Sequence, residues 1–89
     1  MNISVIIPVY NAAAYIEKAV TSALFLAEVK EVVLVNDGST DDSLAILKKL
    51  QESDARIKIY HHEKNANKGR SASRNLALQK ATMPFIAFL

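Results

Sequence analysis

The sequence predicts an α/β fold built on an open parallel sheet, and three observations carry that expectation. Val32-Val33-Leu34-Val35 is an unbroken apolar run that passes straight into Asn36-Asp37-Gly38, as a strand covered on both faces does when it reaches its loop. Ser4-Val5-Ile6-Ile7-Pro8-Val9 is a second such run and ends in Tyr10-Asn11. Between and after these runs, apolar residues recur at helical spacing, so strand and helix patterns alternate along the whole chain.

Residues 3 to 8 form the first strand, closed by Pro8, which cannot donate to a sheet ladder. Asn11 is placed to cap a helix whose Ile16, Val20, Ala23 and Leu24 share one face. Glu31 to Val35 make the second strand. Ser39 is the expected cap of the next helix, with Asp42 completing a capping box and Leu44, Leu47 and Leu50 forming the buried stripe. Arg56 to Tyr60 alternates charged residues with Ile57 and Ile59, which suits a half-solvated edge strand. Ser71 to Lys80 is a third helix with Ala72, Leu76 and Ala77 inward, and Phe85 to Leu89 is a fourth strand. The resulting β-α-β-α-β-α-β chain is Rossmann-like, and right-handed crossovers give the strand order 3-2-1-4 most simply.

Composition excludes several functions. Eighty-nine residues allow one domain or part of one, and 51% apolar with 22% charged residues is globular rather than disordered composition. With no cysteine, disulfide frameworks and thiolate metal sites are ruled out. Only Gly38 and Gly69 are present, so neither a dinucleotide-binding glycine loop nor a P-loop can be written. No signal peptide is expected, because Pro8 interrupts the only candidate run, and Phe85 to Leu89 is far shorter than the roughly 20 residues a bilayer requires. The expectation is a soluble, cytoplasmic chain, with a membrane-peripheral location of the full-length protein left open.

Charge is unevenly distributed. Residues 1 to 63 carry all nine acidic side chains and six basic ones, whereas residues 64 to 89 carry Lys64, Lys68, Arg70, Arg74 and Lys80 and no acid. Such a cluster steers a phosphate-bearing ligand, while a net charge of +2 gives no reason to expect nucleic acid as a partner. Lys64 and Lys80 read as solvated. His61 and His62 lack spaced acidic or cysteine partners and read as a surface pair rather than a metal site. Asp41 and Asp42 fall in the expected first helical turn, where they favour the helix dipole over metal binding.

Ligands of open α/β sheets sit outside the carboxyl ends of the strands, which is where Asp37 and Tyr10 fall. Asp37-Gly38 can equally make a tight turn, and Tyr10 can pack on its own helix. Gly69 and the start of the third helix, with Lys68, Arg70 and Arg74, form an anion-binding pattern. Two readings of Arg74 stand side by side: a ligand contact, or an ion pair to a strand-end carboxylate such as Asp37.

The ordered blocks SVIIPVYN, then VNDGSTDDS about 25 residues later, then NKGRSASRN resemble the N-terminal half of family 2 glycosyltransferases of the GT-A fold. The resemblance covers essentially the whole chain. It implies base contacts from Pro8, Val9 and Tyr10, acceptance of a uracil N3–H by Asp37, and a nucleotide contact from Arg70. Arg74 and Asn75 match the family's Ala-Arg-Asn signature, with Ser73 in place of the usual alanine.

The implied activity is transfer of a sugar from a UDP-sugar donor to an acceptor, with inversion, aided by Mg²⁺ or Mn²⁺ in the full-length enzyme. In that family the D-x-D type metal motif follows a strand like Phe85 to Leu89, and here no such motif is present. Residues 1 to 89 are therefore expected to be an incomplete, truncated GT-A domain, inactive alone and without a bound metal. The alternative is a non-catalytic α/β module that self-associates through residues 85 to 89, since an open apolar strand is an aggregation edge.

Overall fold

The computed structural model describes residues 1 to 89. Four strands, β1 (Ile3–Val9), β2 (Val29–Asn36), β3 (Ile57–His61) and β4 (Phe85–Phe88), alternate with helices α1 (Ile16–Leu24), α2 (Ser43–Ser53) and α3 (Arg70–Lys80). A short 3₁₀ turn, Glu63–Asn65, lies between β3 and α3. All strand pairs are parallel, in the order β3-β2-β1-β4, as the sequence predicts.

The alternation of side chains along each strand divides the core in two. Val5, Ile7 and Val9 of β1 and Val32 and Leu34 of β2 join Ile16, Val20 and Ala23 of α1 and Leu47 of α2 in the larger cluster. Ile6, Val33 and Val35 point the other way, to Ala77 of α3. Helices α1 and α2 thus cover one face and α3 the other. At about 1.5 to 3 kcal/mol for each fully buried aliphatic side chain, the α1 face supplies most of the hydrophobic stabilisation.

Pro8 lies inside β1, opposite Val35. In a parallel strand, alternate residues direct their backbone groups to the same neighbour, and Ile6 O accepts the Leu89 N–H on the β4 side. Pro8 faces that side as well, beyond β4's last paired residue, so its missing N–H breaks no ladder bond.

Two capping expectations are corrected. Asn11 does not cap α1, which starts at Ile16 after a turn; Asn11 adopts φ 48° and its Oδ1 accepts the backbone N–H groups of Thr40 (2.8 Å) and Asp41 (3.3 Å). Ser39 does not cap α2, which starts at Ser43; its Oγ instead accepts the Asn11 N–H at 3.0 Å. Asp41 accepts the Ala13 and Ser43 N–H groups, and Ser43 Oγ accepts that of Ala12. A local cap is the commonest use of Asn11 and Ser39; here each bonds across to the neighbouring loop and, with Asp41 and Ser43, fastens the β1–α1 and β2–α2 connections together.

At the opposite end of the sheet, Glu31 of β2 is buried and accepts hydrogen bonds from Ser4 Oγ (2.7 Å), Thr82 N (2.9 Å) and Thr82 Oγ1 (3.1 Å). Burial acts to raise its pKa, but these bonds and the charge of Lys58 outweigh it and hold the carboxyl below its ordinary value. Ser4 Oγ also accepts the Met83 N–H, so the pair anchors the α3–β4 connection.

Candidate functional site

The carboxyl ends of β1 and β2 and the start of α3 meet at one rim of the sheet. A hollow of about 390 Å³ opens there, lined by Pro8 of β1 and Tyr10 just after it, Tyr15 and Ile16 at the start of α1, and Arg70 and Arg74 from α3. Tyr10 is half exposed, so its ring offers a free face. The hollow thus combines an aromatic surface with two guanidinium groups, a chemistry suited to a heterocycle joined to an anionic group. It is not the largest depression; that lies along the outer side of α1, around Tyr15, Lys18 and Phe25. The rim hollow is the better candidate because strand ends and a helix N-terminus converge on it.

Sequence-predicted residues are only partly brought together. Pro8, Tyr10 and Arg70 share the hollow. Val9 is fully buried in the core, so only its backbone reaches the rim. Asp37 is 4% exposed and does not line the hollow. Its Oδ1 accepts the Lys68 N–H at 2.6 Å and its Oδ2 the Gly69 N–H at 2.9 Å, immediately before Arg70. The Asp37 backbone N–H is donated to Val9 O at 2.7 Å, which fixes it beside the β1 terminus.

Gly38 permits this arrangement. Its φ is +69°, and a Cβ there would lie 3.0 Å from Asn67 N and 3.2 Å from Asn67 Cα. The residue-67 loop therefore rests directly on the Gly38 backbone, and Asp37 holds it from the other side. Gly69, at φ +94°, makes the bend from which α3 starts.

Two further expectations are corrected. Arg74 makes no ion pair with Asp37; its guanidinium lies 5.8 Å from the centre of the Phe88 ring, linking α3 to β4. His62 is not a surface side chain. Its Nε2 lies 3.0 Å from Ser73 Oγ and 3.5 Å from Asp37 Oδ1, with only 8% of the side chain exposed, whereas His61 remains exposed. The sequence carried one sign of this, the polar Ser73 at a helix position where alanine is usual; its partner was not visible from spacing alone.

A family model described as glycosyl transferase family 2 matches residues 4–89. The chain belongs to that family. It is 39% identical over 88 residues to an uncharacterized glycosyltransferase of Haemophilus influenzae, covering 98% of this chain and 34% of that protein. It is 38% identical to the succinoglycan biosynthesis protein ExoU of Rhizobium meliloti, over 99% of this chain and 25% of that one. The structure of S. aureus TarS in complex with UDP matches with a TM-score of 0.85 and 35% identity, covering 100% of this chain and 27% of that one. A Pyrobaculum calidifontis mannosyltransferase in complex with GDP-Man and Mn²⁺ matches with a TM-score of 0.79 and 25% identity, over 91% of this chain and 24% of that one. The chain therefore spans about a third or less of these glycosyltransferases.

The residues present do not fit the Mg²⁺ or Mn²⁺ that the resemblance implies. No group of three or more His, Asp or Glu side chains is placed to hold a metal ion. No helix is long and apolar enough to cross a membrane.

Proposed function

We propose that this chain is the nucleotide-binding part of a glycosyltransferase that takes a UDP-sugar as donor. The observation that carries the reading is the rim hollow of about 390 Å³, which Tyr10, Pro8 and Arg70 line together. Tyr10 and Pro8 flank the uracil ring and Arg70 meets the diphosphate; Asp37, which lies behind the hollow rather than lining it, accepts the N3–H through Oδ2 once the ring is seated at the end of β2. The UDP held by the S. aureus neighbour supports the choice of uridine. In the complete enzyme the sugar passes to an acceptor with inversion, and any Mg²⁺ or Mn²⁺ is held by ligands outside residues 1 to 89. These residues alone bind the nucleotide weakly and transfer no sugar.

The test is a titration of the ¹⁵N-labelled chain with UDP. Amide shifts confined to residues around Tyr10, Asp37 and Arg70 are expected, and Tyr10→Ala and Arg70→Ala should each weaken binding while leaving the fold intact, because both side chains are exposed. Shifts elsewhere, or affinities unchanged in both variants, would overturn the assignment.

A second reading is favoured by one observation. Every residue of β4 is exposed, and its outer edge is unpaired. In this reading a second copy pairs along that edge and the chain acts as a self-associating module. The two readings are compatible, although Leu89 of the pairing segment also lines the rim hollow.

A further inference from the structure

The buried side chains behind the rim include a polar trio, of which the nucleotide reading uses only Asp37. His62 follows directly on β3, Ser73 lies in α3, and Asp37 follows β2; the Ser73 residue is fully buried, and the side chains of His62 and Asp37 are 8% and 6% exposed. Burying an imidazole and a hydroxyl carries a desolvation cost that apolar residues of similar size would avoid.

The protonation pattern follows from the partners. A carboxylate only accepts, and Asp37 Oδ1 stands 3.5 Å from Nε2, so the tautomer consistent with this arrangement carries its hydrogen on Nε2. Nε2 is hydrogen-bonded to Ser73 Oγ at 3.0 Å and faces Asp37 Oδ1 at 3.5 Å. Each carboxylate oxygen offers two acceptor positions. Oδ1 already takes the Lys68 N–H and is faced by His62, while Oδ2 takes only the Gly69 N–H. Oδ2 is thus the oxygen with no second group standing against it.

We propose that His62, held in place by Ser73, is a positioning residue that commits Oδ1 of Asp37 and so leaves one directed acceptor on Oδ2 for a base that presents an N–H. The proposal rests on the reading of Asp37 as the group that meets the base. Uracil carries that N–H at N3, whereas cytosine presents an acceptor there, so the consequence is selectivity for UDP over CDP rather than affinity in general. Without the imidazole Oδ1 is open as well and can accept the exocyclic N–H of cytosine, and the selectivity relaxes.

The test uses the labelled 89-residue chain with His62→Phe, His62→Gln and Ser73→Ala. Long-range ¹H–¹⁵N spectra of the wild type should report the Nε2–H tautomer; the Nδ1–H tautomer would overturn the proposal. In His62→Phe and Ser73→Ala the Lys68 and Gly69 amide resonances should move, and the ratio of UDP to CDP affinity should fall by roughly fivefold or more. His62→Gln, whose side-chain amide also donates, should recover most of the ratio. An equal loss for both nucleotides, with the ratio and these two amides unchanged, would show a merely structural histidine and refute the idea. Should His62→Phe fail to fold, Ser73→Ala and His62→Gln carry the same comparison. If the wild type binds neither nucleotide, the reading of the rim hollow fails and the selectivity claim with it, while the tautomer and amide measurements still decide whether His62 holds Asp37.

Discussion

Asp37 Oδ2 accepts the Gly69 N–H at 2.9 Å across 32 residues of sequence, so the carboxylate at the end of β2 fixes the loop from which α3 and Arg70 start. With the Lys68 N–H on Oδ1, it satisfies two backbone donors near the rim. Asp37→Ala should therefore cost about 3 kcal/mol, since hydrogen bonds to charged groups contribute about 1.5 to 3 kcal/mol each. Urea unfolding measures this, and a loss below about 1 kcal/mol would mean that water replaces the carboxylate. Because a chain of this size has a total stability of about 4 to 13 kcal/mol, lost nucleotide binding in Asp37→Ala says little about recognition.

Arg70 gives a cleaner probe. It is exposed, it opens α3, and it lines the hollow. Arg70→Ala should weaken UDP binding by about tenfold, equivalent to about 1.4 kcal/mol, and leave uridine binding nearly unchanged, with the deficit shrinking as salt is raised. Equal losses for UDP and uridine would place the diphosphate elsewhere.

Gly38 supports the same rim from below. Gly38→Ala combines a strained φ of +69° with a Cβ 3.0 Å from Asn67 N, so a destabilisation of about 2 kcal/mol or more is expected. Amide shifts should be largest at residues 66 to 69. A variant as stable as the wild type would mean that the loop moves away without penalty.

Acid should act through Glu31. Its folded pKa is depressed below the ordinary 4.5, so its contribution is fully present above that value and is lost as pH falls through the lower folded pKa. Asp54, held down by hydrogen bonds and charge from Arg56, works in the same direction from 3.8. Stability should thus fall as pH drops below about 4.5, and Glu31→Gln should flatten that limb while costing about 2 kcal/mol at neutral pH. An identical acid limb in the variant would assign the pH dependence to other carboxyls.

The open β4 edge makes a concentration-dependent prediction. Sedimentation velocity should detect dimers or larger species, and Ile86→Lys should disperse them, because a lysine on an edge strand opposes pairing. A wild type that sediments as a monomer over the whole concentration range removes the self-association reading.

The elements and their order were legible because they depend on local periodicity. The unbroken run Val32 to Val35 and the spacing of Ile16, Val20 and Ala23 each require burial on a definite face, and the sheet satisfies them in the expected order 3-2-1-4. The caps were not legible. Asn11 and Ser39 have side chains that serve equally well in a local cap or in a bond to a neighbouring loop, and the choice depends on a distance the sequence does not contain. The same holds for Arg74, which had two possible partners and lies over Phe88, and for His62, whose only sequence-level sign was the serine at position 73.

Taken alone, the sequence determined the β-α alternation, the parallel sheet and the family of the chain, since apolar spacing and three ordered motifs are properties of the linear order of residues. The tertiary structure decided which polar side chains meet. It turned Asp37 inward to two backbone amides and placed His62 behind it, while setting Tyr10 and Arg70 around the open hollow. The physical reason is range: hydrophobic burial is non-directional and is set by pattern, whereas a hydrogen bond fails within about an ångström of misplacement and exists only once the strand ends have been brought side by side.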